Sequence, residues 1–213
     1  DRLGGHDPYS ASKAATELVI ASYRDAFFAE GGVKLASARA GNVIGGGDWA
    51  EDRIVPDIVR GLQAGTPIEV RNPAATRPWQ HVLEPLAGYI RLAEKLLTVE
   101  PKQNAALAGA YNFGPHTHEA ATVKTVIEQA RTHWPSATEV HYGDGSEGPH
   151  EAGWLALEVV KARELLAIQP CWALDETVSR TLNWYRGFIE GESALSLCES
   201  DIRDYEAVVA ASN

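Results

Sequence analysis

The chain has 213 residues, 45% of them hydrophobic, enough for one ordinary domain or two small ones sharing a core. A formal charge of −10 without any basic run argues against nucleic acid and anionic membrane as partners. No apolar stretch approaches the roughly 20 residues of a membrane-spanning helix, and no secretory signal is visible. Cys171 and Cys198 form neither a metal spacing nor a disulfide framework, which suits a reducing cytoplasm. The sequence contains no methionine and opens Asp1-Arg2-Leu3, so the expectation is a piece of a longer protein.

The first expected element is a helix from Pro8 to Ala29, with Asp7 as N-cap, Pro8 at the first helical position and Gly31-Gly32 as its stop. Its many alanines predict close packing against a sheet. Tyr9 and Lys13 stand four residues apart and so share one helical face. An ammonium fixed beside a phenol favours the phenolate. Such a pair can take a proton from a hydroxyl, although a surface Tyr and Lys on an amphipathic helix have the same spacing.

Val33 to Ala38 reads as a buried strand that delivers a glycine-rich loop, Arg39 to Trp49. This helix, strand and loop rhythm predicts a parallel α/β sheet, whose ligands collect at the carboxyl ends of strands. A short helix follows over Arg53 to Leu62, then a strand over Ile68 to Arg71 and a turn through Thr76. Beyond Arg77-Pro78-Trp79-Gln80-His81-Val82, a helix is expected from Glu84 to Leu97 and a short buried strand from Ala110 to Phe113. Thr122 caps a helix reaching Trp134, Glu139 to Tyr142 is a strand, and Gly143 to Gly153 a polar loop holding Pro149-His150-Glu151. Three helices close the chain, about Val159 to Leu166, Asp175 to Ile189 and Ser200 to Ala210.

Arg39, Arg53, Arg71 and Arg77 all stand beside loops, and guanidinium forks suit phosphate oxygens. Each could equally be a surface ion pair. Gly41 and Gly45-Gly46-Gly47 would let backbone approach a ligand, or make a plain tight turn; Asn42 offers a donor and an acceptor to sugar hydroxyls. Trp79 could stack on a base or belong to the core. His116-Thr117-His118-Glu119 and His150-Glu151 lack a regular ligand spacing, so no metal site is expected. No serine sits in a nucleophile-elbow turn.

Five stretches together resemble the CDP-glucose 4,6-dehydratases of the extended short-chain dehydrogenase/reductases. They are Gly-Gly-His-Asp-Pro-Tyr-Ser-Ala-Ser-Lys (4–13), Ala-Arg-Ala-Gly-Asn-Val-Ile-Gly-Gly-Gly-Asp-Trp (38–49), Arg-Pro-Trp-Gln-His-Val (77–82), Tyr-Asn-Phe-Gly-Pro (111–115) and Pro-His-Glu-Ala (149–152). The likeness spans nearly the whole chain. It implies an α/β fold: a partial Rossmann-type parallel sheet, its N-terminal half missing, with a smaller mixed α/β nucleotide-sugar-binding domain. Residues 1–42 and 82–114 would be the C-terminal part of the NAD-binding domain, and 43–81 with 115–213 the substrate domain.

The resemblance further implies NAD as cofactor and CDP-glucose or a similar nucleotide sugar as substrate. Tyr9 would be the base at the glucose 4-hydroxyl, and Lys13 would hold the nicotinamide ribose. Asn42, Arg71 and Arg77 would contact the diphosphate and sugar and Arg53 the nucleotide, with His150 and Glu151 in the substrate site. The family's dinucleotide fingerprint and its elimination acid lie upstream of the Tyr, so the isolated chain is expected to be inactive. An exposed sheet edge should take a partner strand, from a second copy in a dimer or tetramer or from the missing N-terminal part. Glu84, Glu158 and Ala167-Ile168 depart from the family pattern at positions that look peripheral. Another extended short-chain reductase, such as a nucleotide-sugar epimerase, and a non-catalytic nucleotide-sugar-binding fragment are the alternatives.

Overall fold

The computed structural model describes residues 3–5, 7–28, 33–99, 107–146 and 153–212. Helix α1 (Pro8–Tyr23) leads into strands β1 (Ser37–Ala40) and β2 (Asn42–Ile44), helix α2 (Ile54–Ala64), and strands β3 (Ile68–Val70), β4 (Thr76–Arg77) and β5 (Trp79–His81). Helix α3 (Leu83–Thr98), strands β6 (Ala110–Phe113) and β7 (Ala121–Thr122), helix α4 (Val123–His133) and strand β8 (Val140–Tyr142) follow. Helices α5 (Val160–Leu166), α6 (Leu174–Ile189) and α7 (Ala194–Ser212) end the chain. The architecture is α/β, with β1–β6, β2–β5 and β3–β8 paired parallel and β4–β7 antiparallel.

Helix α1 begins where its sequence says. The Asp7 carboxylate accepts the Ser10 backbone N–H at 2.9 Å and the Ser10 hydroxyl at 2.6 Å, bonds that hold its carboxyl below the ordinary range. After Tyr23 the coil widens into a π-helical turn, Arg24–Phe28, while Ala29 lies outside the described residues. The packing expected from the alanines is not found: no residue of α1 is buried, and Leu18 and Val19 are 60% and 56% exposed. Glu17 ties the helix to β1 instead, accepting from the Ser37 hydroxyl at 2.9 Å and the Arg39 guanidinium at 2.7 Å.

The expected strand at Val33 starts later, at Ser37, because pairing with Ala110 to Phe113 reaches only four residues. Part of the expected glycine-rich loop is strand as well: Arg39 and Ala40 complete β1, and Asn42 to Ile44 form β2 opposite Trp79 to His81. Gly41 makes the step between them, since a Cβ there would stand 2.6 Å from the Pro78 carbonyl oxygen.

Two apolar clusters form the core. The larger gathers Ile58, Val59, Ile68, Trp79, Ile127, Leu182 and Tyr185, side chains from α2, β3, β5, α4 and α6. In the smaller, Tyr111 and Phe113 of β6 meet Leu92 of α3 and Ala162 and Leu166 of α5. Each fully enclosed aliphatic side chain stabilises the fold by about 1.5–3 kcal/mol. Strand β5 joins the clusters: buried Gln80 donates its side-chain amide to the Phe113 carbonyl at 2.9 Å, and the same oxygen accepts the Gly41 N–H at 3.1 Å.

Glu84, peripheral in the sequence reading, sits at a junction. One carboxylate oxygen accepts the backbone N–H groups of Cys171 and Trp172 at 2.9 and 2.8 Å; the other accepts the Tyr205 hydroxyl of α7 at 2.9 Å. Burial pushes the Glu84 carboxyl up while these bonds pull it back. Trp172 packs edgewise on Tyr205 at 5.1 Å, and the Arg180 guanidinium lies over the Trp172 ring, 4.4 Å from its centre. Helix α7 starts at Ala194, six residues before the expected Ser200, and Tyr205 anchors it to this junction.

Tyr205→Phe is expected to cost about 1–2 kcal/mol, because a desolvated carboxylate oxygen loses its donor; urea unfolding monitored by circular dichroism measures it. His141 on β8 bonds Glu69 at 2.8 Å and Glu139 at 3.4 Å, and these bonds, Glu69 first, raise its pKa above the ordinary 6.5. A histidine raised on folding stabilises fully below about 6.5 and loses that contribution as pH rises through its folded value. The melting temperature of the wild type should therefore exceed that of His141→Gln near pH 6, with the difference vanishing near pH 8.5. A pH-independent difference would contradict the assignment.

Candidate active site

Four residues singled out from the sequence, Asn42, Arg53, Arg71 and Arg77, line one open cleft of about 1080 Å³. Each arrives by its own element. Asn42 opens β2 and donates its backbone N–H to the Pro78 carbonyl at 3.0 Å. Arg53 is the N-cap residue of α2, with φ −109° and ψ 128° and no side-chain capping bond. Arg71 leaves the carboxyl end of β3, where the parallel β3–β8 pair also delivers Gly145 and Ser146 to the rim. Arg77 lies in the antiparallel β4–β7 pair and donates to its neighbour's carbonyl, Thr76 O, at 2.9 Å.

The opposite rim is the loop from Gly45 to Arg53, which this chain clamps to itself. Arg60 donates to the Trp49 and Ala50 carbonyls at 3.2 and 3.1 Å and pairs with Asp57. The Tyr185 hydroxyl donates to the Asp48 carbonyl at 2.6 Å, and burial raises its pKa to about 12. A Cβ on Gly46 would fall 2.0 Å from the Trp184 ring and one on Gly45 2.8 Å from Val82. These glycines make room for the protein's own side chains, so close ligand approach is not what requires them.

The charged groups of the cleft sort into engaged and open. Asp57 is held by Arg60, Glu69 by His141 at 2.8 Å, and an Asp48 oxygen by the Ala50 N–H at 3.0 Å. The side chains of Arg53, Arg71 and Asp52 hold no hydrogen bond or ion pair to the described residues. Asp52 went unnoticed in the sequence; the signal that could have found it is Glu51-Asp52-Arg53 placed directly before a helix.

Tyr9 and Lys13 do come together, with the Lys13 ammonium 5.6 Å from the centre of the Tyr9 ring. They stand on an exposed face, Tyr9 71% exposed, and are not among the residues lining the cleft. Arg39 is not there either, being paired with Glu17. His150 and Glu151 lie outside the described residues. Trp79 is core: it is 4% exposed and its indole N–H donates to the Ala121 carbonyl at 2.9 Å. His81, also missed, is buried against Trp172 at 4.8 Å, and burial lowers its pKa to about 4, which keeps it neutral near pH 7.

A Gly-x-Gly-x-x-Gly pattern, Gly143 to Gly148, also follows strand β8. Its amides are already engaged: Gly143 N–H donates to Val70 O at 2.8 Å, Gly145 N–H to Arg71 O at 3.0 Å, and Ser146 N–H to the Asp144 carboxylate at 2.9 Å. A phosphate cradle needs those donors free and a helix opening behind them. Gly143 to Ser146, the described part of the pattern, hold these amides within the chain.

The family model described as the NAD dependent epimerase/dehydratase family matches residues 2–114. A CDP-glucose 4,6-dehydratase of Salmonella typhimurium is 44% identical over 208 residues, which are 95% of this chain and 56% of that protein. The chain thus spans little more than half the length of that curated relative. Among solved structures, a dTDP-glucose 4,6-dehydratase from Bacillus anthracis in complex with NAD superposes with a TM-score of 0.70 at 18% identity, over 89% of this chain and 55% of the other. A UDP-glucuronic acid 4-epimerase from Bacillus cereus, in complex with UDP-glucuronic acid and NAD, gives 0.68 at 16% identity, over 88% and 57%. At such identities the likeness shows the fold alone. With the family match covering more than half of its residues, the chain belongs to the NAD dependent epimerase/dehydratase family.

Proposed function

We propose that this chain serves the NAD-dependent dehydration of CDP-glucose to CDP-4-keto-6-deoxyglucose, supplying the catalytic base and the nucleotide-sugar cleft. The observation that carries the reading is the meeting of Asn42, Arg53, Arg71 and Arg77 around one cleft, from four elements far apart in sequence. Open guanidinium forks at Arg53 and Arg71 suit a diphosphate, and the Asn42 amide suits a sugar hydroxyl. The 44% identity to the Salmonella CDP-glucose 4,6-dehydratase supports the choice of nucleotide and of reaction.

In this reading Tyr9 is the base that takes the proton of the glucose 4-hydroxyl, with the Lys13 ammonium on the same helical face beside its ring. Tyr9 and Lys13 would hold part of NAD, which would supply the hydride chemistry of the oxidation at C4 and of the reduction at C6. The donors on α1 fit the nicotinamide ribose. The Gly143, Gly145 and Ser146 amides are engaged within the chain, and no described residue is assigned to the pyrophosphate end of the cofactor. Residues 1–42 and 82–114 as the cofactor part, and 43–81 with 115–213 as the substrate part, are supported by the two clusters, with α5 crossing to pack beside Leu92. Among the described residues no further strand pairs with β1 or β6, which supports association with a further strand, from a second copy or from more of this protein.

Two measurements test this. The purified 213-residue chain, given CDP-glucose and NAD, should yield little or no 4-keto-6-deoxy product; turnover would refute the missing pyrophosphate site, and a C4-epimerised product would favour an epimerase. Calorimetry with CDP alone should show binding that Arg71→Ala weakens about 10–100-fold, the worth of a charge-assisted bond to phosphate. Unchanged affinity in Arg71→Ala would sink the cleft assignment.

A further inference from the structure

We propose that Asp52 is the specificity-determining residue of this cleft, accepting a hydrogen bond from the exocyclic amine of a cytosine base. The inference rests on the nucleotide-sugar reading above and narrows it. Four carboxylates line the cleft, Asp48, Asp52, Asp57 and Glu69, in a region whose proposed ligand is a dianionic diphosphate. Three are engaged by this chain: Asp57 by Arg60, Glu69 by His141, Asp48 by the Ala50 N–H. Asp52 alone among these four has no partner in the described residues. An open carboxylate in a phosphate-binding cleft repels its ligand unless the ligand also brings a hydrogen-bond donor.

Cytosine brings one. Its amine is a donor that aspartate accepts, whereas uracil and thymine present a carbonyl oxygen at the same ring position, so a carboxylate there faces a second acceptor. The backbone sets the carboxylate in place. Asp52 has φ 58°, left-handed, one of two non-glycine residues with positive φ among the described ones. Aspartate, asparagine and glycine tolerate this conformation, which most side chains do not. Arg53, next in sequence, is extended and begins α2, so an acceptor and a donor fork stand side by side on the rim. Adjacent open groups of opposite sign match a base edge that alternates amine with ring nitrogen and carbonyl.

The test measures CDP and UDP affinities by calorimetry for the 213-residue chain and for Asp52→Asn and Asp52→Gly. Both substitutions keep the left-handed backbone, so each gives an independent reading, with melting temperatures confirming the fold. The wild type should bind CDP at least about tenfold more tightly than UDP. In Asp52→Asn the preference should collapse toward unity, since the amide can donate to the uracil oxygen; in Asp52→Gly it should fall as well, through loss of the bond and of the repulsion. Equal wild-type affinities, or a CDP preference that survives both substitutions, would overturn this inference and leave the cleft assignment standing. Failure of both nucleotides to bind the wild type would overturn the cleft assignment and this inference with it.

Discussion

The carbonyl oxygen of Phe113 is the point on which the two cores depend. It accepts the Gly41 N–H at 3.1 Å and the Gln80 side-chain amide at 2.9 Å, which uses both lone pairs of one oxygen. Gln80 is 3% exposed, so its amide has no water as an alternative, and leaving it unpaired carries the full cost of desolvation. Through that atom β6, the step from β1 to β2, and β5 are held in one register. Asn42 and Trp79, opposite each other on β2 and β5, take their places from the same constraint. The floor of the cleft is in this sense an extension of the smaller core's sheet.

An acidic chain leaves open guanidinium groups at its cleft by internal neutralisation of the carboxylates there. Carboxylates at the cleft are bonded to Arg60, His141 and a backbone amide, and Arg60 is itself absorbed into holding the rim loop. What is left facing a ligand is set by which groups remain unpaired, and total charge says little about it. The same logic disposes of the glycine pattern at Gly143, whose amides are bonded to β3 and to Asp144.

Much of the fold was legible because local rules and tertiary packing agreed. Thr122 caps α4 as its sequence indicates, its hydroxyl accepting the Thr125 N–H at 3.1 Å, and the strand from Ala110 to Phe113 falls where its apolar run stands. Alanine content misled at α1, since small side chains permit close packing without showing what is there to pack on. Pairing length, invisible in one strand's sequence, moved the start of β1. At the site, arginines beside loops could be named but not brought together, because their convergence depends on strand order. Asp52 was missed for a different reason: Glu51-Asp52-Arg53 before a helix reads as ordinary surface charge, and the left-handed φ of Asp52 appears only in the folded chain. Glu84 was misjudged because its three partners come from residues 171, 172 and 205, which only folding brings to it.

The seating of Gly46 on Trp184 divides the cleft mechanically. The rim from Gly45 to Arg53 is stapled to α6 by an indole and the Tyr185 hydroxyl and to α2 by the Arg60 fork, so its movement is tied to these two helices. The facing rim hangs from the β3–β8 pair, three residues on each strand, with its polar ties at the surface. Stiffness is thus unequally shared, and any adjustment to the length of a bound ligand falls to the side that carries Arg71. The cleft has an anvil and a jaw.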